Sequence, residues 1–347
     1  MDKRNEKQKI LIIKLRDIGD TLSLLPVIET LYASGAKREV HILVHKGTEE
    51  LLSLHPGINH LWVYDRKVAK KNIFKSTSYH VNVLRSLRLQ RYDVIIDYTH
   101  GDRASLLSFL IGAPLRVSYR ESSFLSRILM NQIIKINSQQ NHIVDYQLEA
   151  LKILGIENFV KRMKIYLPES LDAHVRQMLP NACGRKRIVI HPGAQRILRQ
   201  WRPARFGAVA RLLHDQFGAQ IILIGGNDET DLIEEVEKSM GFPAAFKSNH
   251  LTLLEMAGIL KNSDLLIGND SGPGHIAAGV DCPSLILFGP QFPHKWRPYS
   301  SKNEVIFKNV PCCGCRQIVC IRPDNHCMDM IEVEEVWEKI NSLLKPF

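Results

Sequence analysis

In the second half of the chain, Gly268-Asn269-Asp270-Ser271-Gly272-Pro273-Gly274-His275 runs straight into the helix-like Ile276-Ala277-Ala278. Small residues at a helix start expose backbone N–H groups, and the helix dipole favours an anion there. Two other turns have similar chemistry. His191-Pro192-Gly193-Ala194-Gln195 leads to Arg196, Arg199 and Trp201-Arg202-Pro203, and Gly225-Gly226-Asn227-Asp228-Glu229 follows an apolar run. Arg196 and Arg199 could neutralise a diphosphate, while Glu229 could accept hydrogen bonds from ribose hydroxyls. Three such turns at successive strand ends predict a nucleotide site. The structural alternative is that Asp270 and Ser271 only cap a helix and His275 is a satisfied, partly buried histidine.

A fourth turn lies near the start, in Lys14-Leu15-Arg16-Asp17-Ile18-Gly19-Asp20-Thr21. Gly19 permits a tight turn and close approach of another molecule. Asp20 falls at or beside a helix N-cap, so it either caps that helix or presents a carboxylate to a ligand. The turn has no GxGxxG, which weakens a dinucleotide site there. Near the other end, Cys312, Cys315, Cys320 and Cys327, with Cys313 and His326 alongside, number enough for a tetrahedral zinc site, although the spacing is irregular.

These turns need strands and helices to hold them. Short β-branched runs alternate with amphipathic stretches, the pattern of parallel sheets with crossover helices. The first half predicts strands at Ile10–Leu15, Val40–Val44, Leu61–Tyr64, Asp93–Asp97 and Leu115–Val117, with helices at Thr21–Ala33, Ser78–Leu89 and His142–Leu154. A second cycle predicts strands at Arg187–His191, Gln220–Ile224, Asp264–Ile267 and Ser284–Phe288. Its helices are Pro203–Phe217, Glu229–Met240, Leu251–Lys261 and Gly274–Val280, with a last helix at Glu332–Leu344. Polar Leu167–Arg187 reads as a linker. Two doubly wound α/β domains fit this pattern and the 347 residues.

Composition narrows the class. The chain is 45% hydrophobic and 24% charged, which disfavours extensive disorder, and no apolar run approaches a membrane span. Lys14 and Arg16 cut the first apolar run too early for a signal peptide, so we expect a cytoplasmic protein. The net charge of +10 points to an anionic partner. Residues 1–180 hold 27 Lys and Arg against 18 acids, and much of the excess falls between Asp65 and Asp93. That basic stretch includes Lys70, Lys71, Arg85 and Arg88 and could meet phosphorylated headgroups. Its helical part predicts Val81, Leu84, Leu87 and Leu89 as a core face. With few aromatics to stack bases, nucleic acid is disfavoured.

Taken in order, KLRDIGDTLSLLP, HPGAQ with its W-R-P-x-R-F, IGGNDE, NDSGPGHIAA with CPSLILFGP, and CCGCRQIVC with the later HCM resemble the lipopolysaccharide heptosyltransferase family over nearly the whole chain. The resemblance implies a GT-B fold: two Rossmann-like, doubly wound domains facing each other across a cleft. It implies an inverting enzyme that moves heptose from ADP-heptose to the lipopolysaccharide inner core with no required cofactor. Asp20 would be the general base. Ala194, Gln195, Arg199, Glu229, Asp270, Ser271, Gly272 and His275 would bind the donor, and Lys14, Gly19, Lys70, Lys71 and Arg88 the acceptor. Arg199 stands where many members carry Lys, and Ala194 and Gln195 where some carry hydroxyl residues. Residues 1–170 would form the acceptor domain, 171–330 the nucleotide-sugar domain, and 331–347 a terminal helix. The partners would be ADP-heptose, a lipid A–core acceptor and the anionic inner-membrane surface, with peripheral association. A relative using another nucleotide-sugar or surface glycan, a catalytically silent nucleotide-binding protein, and a nicotinamide-dependent oxidoreductase are the competing readings.

Overall fold

The computed structural model describes residues 7–69, 73–99, 101–119, 124–136, 140–315, 319–322 and 326–344. The chain divides into two compact units, Met1–Tyr166 and Leu167–Phe347. The first carries strands β1 (Gln8–Lys14), β2 (Arg38–His45), β3 (His60–Tyr64), β4 (Val94–Asp97), β5 (Leu115–Tyr119) and β6 (Gln132–Ile134). They pair in parallel in the order β3-β2-β1-β4-β5-β6. The central strands β1 and β4 have fully buried apolar runs, Ile10–Ile13 and Val94–Ile96, as a parallel sheet covered on both faces requires.

The second unit repeats the plan with β7 (Arg187–His191), β8 (Gln220–Ile224), β9 (Phe246–Ser248), β10 (Leu265–Asn269), β11 (Ser284–Phe288) and β12 (Asn303–Phe307). Its parallel order is β12-β11-β10-β7-β8-β9. Both units therefore have the doubly wound order in which the connections reverse direction beside the first strand. A core of Trp201, Phe206, Val209, Leu213 and Met240 fills the space between its sheet and helices on one face.

Several elements differ from the sequence expectation. The stretch read as a polar linker contains a helix, Glu169–Met178, which belongs to the second unit. It buries only Val175, whose side chain packs where a Cβ on Gly258 would stand 2.8 Å away. One buried residue per three turns leaves little apolar periodicity to read. Thr21–Ala33 is two helices, Ile18–Leu22 and Leu25–Ala33. β6, β9 and β12 were not anticipated because they are edge strands, short or half-polar. In the basic helix Ile73–Leu89, Leu87 is buried, but Val81 and Leu89 are exposed rather than in a core face. Among the described residues, no helix is long and apolar enough to cross a membrane.

Candidate functional site

In the first unit the connections leave β1 and β4 toward opposite sides of the sheet, so the loops after these two neighbours diverge and leave a crevice. Lys14 is the last residue of β1, and Asp20 is the third residue of helix Ile18–Leu22. Asp20 does not cap that helix. The N-cap is Asp17, and its side chain makes no capping hydrogen bond. Gly19 takes helical rather than left-handed backbone, so the turn does not need a glycine for its φ.

The Asp20 carboxylate instead meets the Lys14 ammonium at 3.2 Å. Lys14 is 1% exposed, while the Asp20 side chain keeps 29% of its surface. The same Nζ donates to the Tyr98 carbonyl at 3.2 Å. In the amide orientation that satisfies both of its ends, Gln147 turns its oxygen to Nζ at 3.2 Å and donates to the Ser23 carbonyl at 2.8 Å. An ammonium has three protons, and here each has an acceptor. Burial pulls the Lys14 pKa down, opposed by the Asp20 charge and its hydrogen bond. The Lys14 ammonium, expected at the acceptor, is buried against Asp20.

Side chains outside the expected set hold this geometry. Thr99, just after β4, accepts from the Leu15 N–H through Oγ1 at 2.9 Å, and its carbonyl accepts from Arg16 at 2.9 and 3.1 Å. Arg66 donates to His45 Nε2 at 2.6 Å and approaches Asp17 at 3.9 Å, so it belongs to this turn. The hydroxyls of Tyr98 and Tyr119 both donate to the Gln147 carbonyl, at 3.0 and 3.2 Å. Arg88 is exposed on its helix, and Lys70 and Lys71 lie outside the described residues.

Asp97, at the end of β4, is fully buried beneath this turn, and burial pushes its carboxyl up to about 6 against the pull of Thr99, Ser105 and Lys14. The folded pKa thus lies above the unfolded one. The resulting stability is fully present below about pH 4 and is lost as pH rises through about 6, an amount on the order of 3 kcal/mol. Asp97→Asn should flatten the stability–pH curve between pH 4 and 6.5 in denaturant titrations. An unchanged slope would assign the titration to another group.

The second unit has its own reversal point between β7 and β10, and two of the expected turns follow those strands. Asn269, the last residue of β10 and 1% exposed, ties them together. Its Nδ2 donates to the Pro192 carbonyl at 2.7 Å, and its Oδ1 accepts from the Trp201 N–H at 3.0 Å. Arg199 lies 3.1 Å from Asp270 Oδ2, within ion-pair distance but not aligned as a hydrogen bond. Burial pushes the Asp270 carboxyl up to about 6 despite Arg199. Ser271 sits at the N-cap of helix Gly272–Gly279, but its hydroxyl donates to the Asn269 carbonyl at 3.2 Å and leaves the first-turn N–H groups uncapped by it. His275 is buried in that helix.

Glu229 follows β8 and caps no helix through its side chain. Its Oε2 accepts from the Gly226 N–H at 2.7 Å and lies 3.3 Å from His191 Nε2. Burial raises its pKa, but His191 and the Gly226 N–H outweigh it and hold the carboxylate below its usual range. A Cβ on Gly193 would stand 1.8 Å from Glu229 Oε1, so this glycine is what lets the carboxylate lie across the β7 turn. Ala194 is buried, with its carbonyl accepting from Gln200 at 2.9 Å, while Gln195 and Arg196 are exposed. Arg202 and Arg205 do not face this site. Arg202 pairs with Asp329 at 2.6 Å, and Arg205 donates to the Asp329 and Ile331 carbonyls. The W-R-P-x-R-F segment thus anchors the C-terminal part of the unit, with the Trp201 indole donating to the Ile331 carbonyl at 2.9 Å.

Cys312, Cys315, Cys320 and Cys327 are all free thiols of intermediate exposure. Among the described residues, no three His, Cys, Asp or Glu side chains converge on a metal-sized site. Burial, reinforced by the neighbouring Cys313, pushes the Cys327 thiol up to about 11.

Residues 81–326 match the sequence pattern of glycosyltransferase family 9 (heptosyltransferase). The chain is 30% identical over 295 residues to lipopolysaccharide heptosyltransferase 3 of Escherichia coli, covering 83% of this chain and 85% of that one. In three dimensions it resembles a family 9 glycosyl transferase from Veillonella parvula, with a TM-score of 0.83, 22% identity and 97% of each chain covered. It also resembles the E. coli heptosyltransferase WaaC solved with ADP, with a TM-score of 0.78, 19% identity, 97% of this chain and 100% of that one.

Proposed function

The chain belongs to glycosyltransferase family 9, with the GT-B fold class and the enzyme type of a heptosyltransferase, and from that premise we propose that it moves heptose from ADP-heptose to the lipopolysaccharide inner core. The observation that carries the mechanism is the half-open Asp20 carboxylate, held by a buried lysine at the reversal point of the first sheet. Such a carboxylate is held in one orientation while one edge remains open to a substrate hydroxyl. Asp20 is then the general base. It takes the acceptor proton as that oxygen attacks the anomeric carbon, and the configuration inverts in a single displacement.

The departing diphosphate needs positive charge and N–H donors. Arg199 and the N–H groups at Gly272 and beyond supply them, with Ser271 lending its hydroxyl. Asp270, 3.1 Å from Arg199, holds that guanidinium in place. Glu229 accepts from the ribose hydroxyls, while Ala194, Gln195 and His275 complete the donor's surroundings. On the acceptor side, Gly19 gives room beside Asp20, and Lys70, Lys71 and Arg88 meet phosphates of a lipid A–core acceptor. Cationic side chains and a helix start serve the leaving group, so the reaction needs no metal cofactor. The enzyme works in the cytoplasm at the inner face of the inner membrane, without nucleic acid.

The reading is tested by incubating the protein with ADP-heptose, or with UDP- and GDP-sugars, and truncated lipopolysaccharide. Mass spectrometry would show a heptose added from ADP-heptose alone, and NMR coupling at the new linkage would show inversion. Addition from a UDP- or GDP-sugar would move the donor to another class, and retention would end the single-displacement mechanism. Gly193→Ala tests the donor half. The new methyl forces Glu229 away from Gly226 and His191, which should raise the donor KM by about 10-fold or more and leave the acceptor KM unchanged.

A further inference from the structure

Helices Asp102–Ile111 and Phe124–Leu129 of the first unit pack against each other through serines. Ser105 and Ser126, both fully buried, are hydrogen-bonded across the contact, and Ser108 is buried as well. Ile111 is buried in the core and Leu107 packs against it, but six other large apolar side chains turn outward. Leu106, Phe109 and Leu110 are 45%, 47% and 39% exposed, and Phe124, Leu125 and Ile128 are 75%, 37% and 62% exposed. Positions 106, 109 and 110 lie on one helical stripe, as do 124, 125 and 128. Water gives no reason to bury serines and expose phenylalanines, so this face is built to lose water against something else.

Charge indicates what that is. Arg103, Arg127 and Lys135 are exposed around the helices, and the Arg116 guanidinium lies 5.6 Å from the Phe109 ring centre. Among the described residues between 101 and 136, Asp102 is the only acid. The unit as a whole, residues 1–166, holds 26 Lys and Arg against 16 acids, while residues 167–347 hold 20 against 20. Apolar side chains bordered by arginines, on a unit that carries the entire charge excess, match the headgroup–acyl boundary of an anionic bilayer. Arginine stems can lie along the acyl boundary while their heads pair with lipid phosphates.

We propose that the face formed by Asp102–Ile111 and Phe124–Leu129 docks the first unit onto an anionic lipid surface. This deepens the reading of a lipid-linked acceptor, on which it rests only for its biological purpose. It is a different surface from the basic helix Ile73–Leu89.

The test is co-sedimentation of the purified protein, without sugar donor or acceptor, with phosphatidylglycerol–phosphatidylethanolamine vesicles and with phosphatidylcholine vesicles. The protein should bind the anionic vesicles, less so as salt is raised. A Phe109→Ser, Phe124→Ser, Ile128→Ser variant should bind at least about 10-fold more weakly. It should also keep its Tm and its turnover on a delipidated, soluble oligosaccharide acceptor. Absence of wild-type binding to anionic vesicles overturns the proposal, as does equal binding by the variant. A wild-type dimer that the variant dissolves, without vesicle binding, would give the face to a second copy of the chain. Because the vesicle readout uses no sugar, failure of heptose transfer leaves it unaffected, and loss of vesicle binding leaves the assignment of the reaction intact.

Discussion

Asp20→Asn is expected to lower kcat by about 10²- to 10⁴-fold, the range that a positioned general base contributes. The substitution keeps the size and one hydrogen-bonding oxygen of the side chain, so Lys14 retains an acceptor at the same place. Asp20 lies in the first unit, whereas the residues assigned to the donor lie in the second. ADP affinity, measured by calorimetry, should therefore stay within about 2-fold of the wild type. If turnover survives, Asp20 is not the base. If turnover and ADP affinity fall together with Tm, the variant reports folding instead, and the Asp20→Glu variant, which restores a carboxylate, becomes the discriminating comparison.

Lys14→Met should lower kcat by about 10²-fold with little change in either KM, and the Tm should hold or rise. The two effects have opposite directions for a physical reason. An ammonium with 1% exposure costs desolvation energy, which its three acceptors offset only in part, as the lowered Lys14 pKa indicates. Methionine has nearly the same length and carries no charge to bury, while Asp20 keeps enough exposure to be solvated alone. What is lost is the tether on the carboxylate, and a catalytic group displaced by an ångström is costly. A purely structural lysine would show the reverse, with a lower Tm and unchanged kcat. A raised acceptor KM at constant kcat would restore Lys14 to acceptor binding.

Much of the fold was legible in the chain. The apolar runs of β1, β2, β4, β7, β8, β10 and β11 are buried on both faces, so continuous hydrophobicity marks them without help from context. The helix Glu169–Met178 and the strands β6, β9 and β12 escaped because each buries few side chains and so leaves little periodic signal. Asp20, Arg199, Asp270 and Glu229 were visible as chemistry after strand ends. Thr99 and Asn269 stood inside or beside the same turns, but nothing local distinguishes a threonine or asparagine that clamps a second loop from one that faces water. Gln147 had no local signal at all.

The order of motifs determined the family and the two-unit plan, because strand propensity and turn chemistry are written within a dozen residues. Which charges meet is a different matter, since it depends on strands brought side by side from distant parts of the chain. Parallel pairing of β1 with β4 sets Lys14 beside Tyr98, and the path of the helices brings Gln147 to the same ammonium. In the same way β7 beside β8 sets His191 near Glu229, and β7 beside β10 sets Arg199 near Asp270. Only the folded structure could turn a lysine that reads as a surface cation into the buried holder of Asp20, or show phenylalanines facing outward over buried serines. Burial is a property of the whole packing, and no window of sequence contains it.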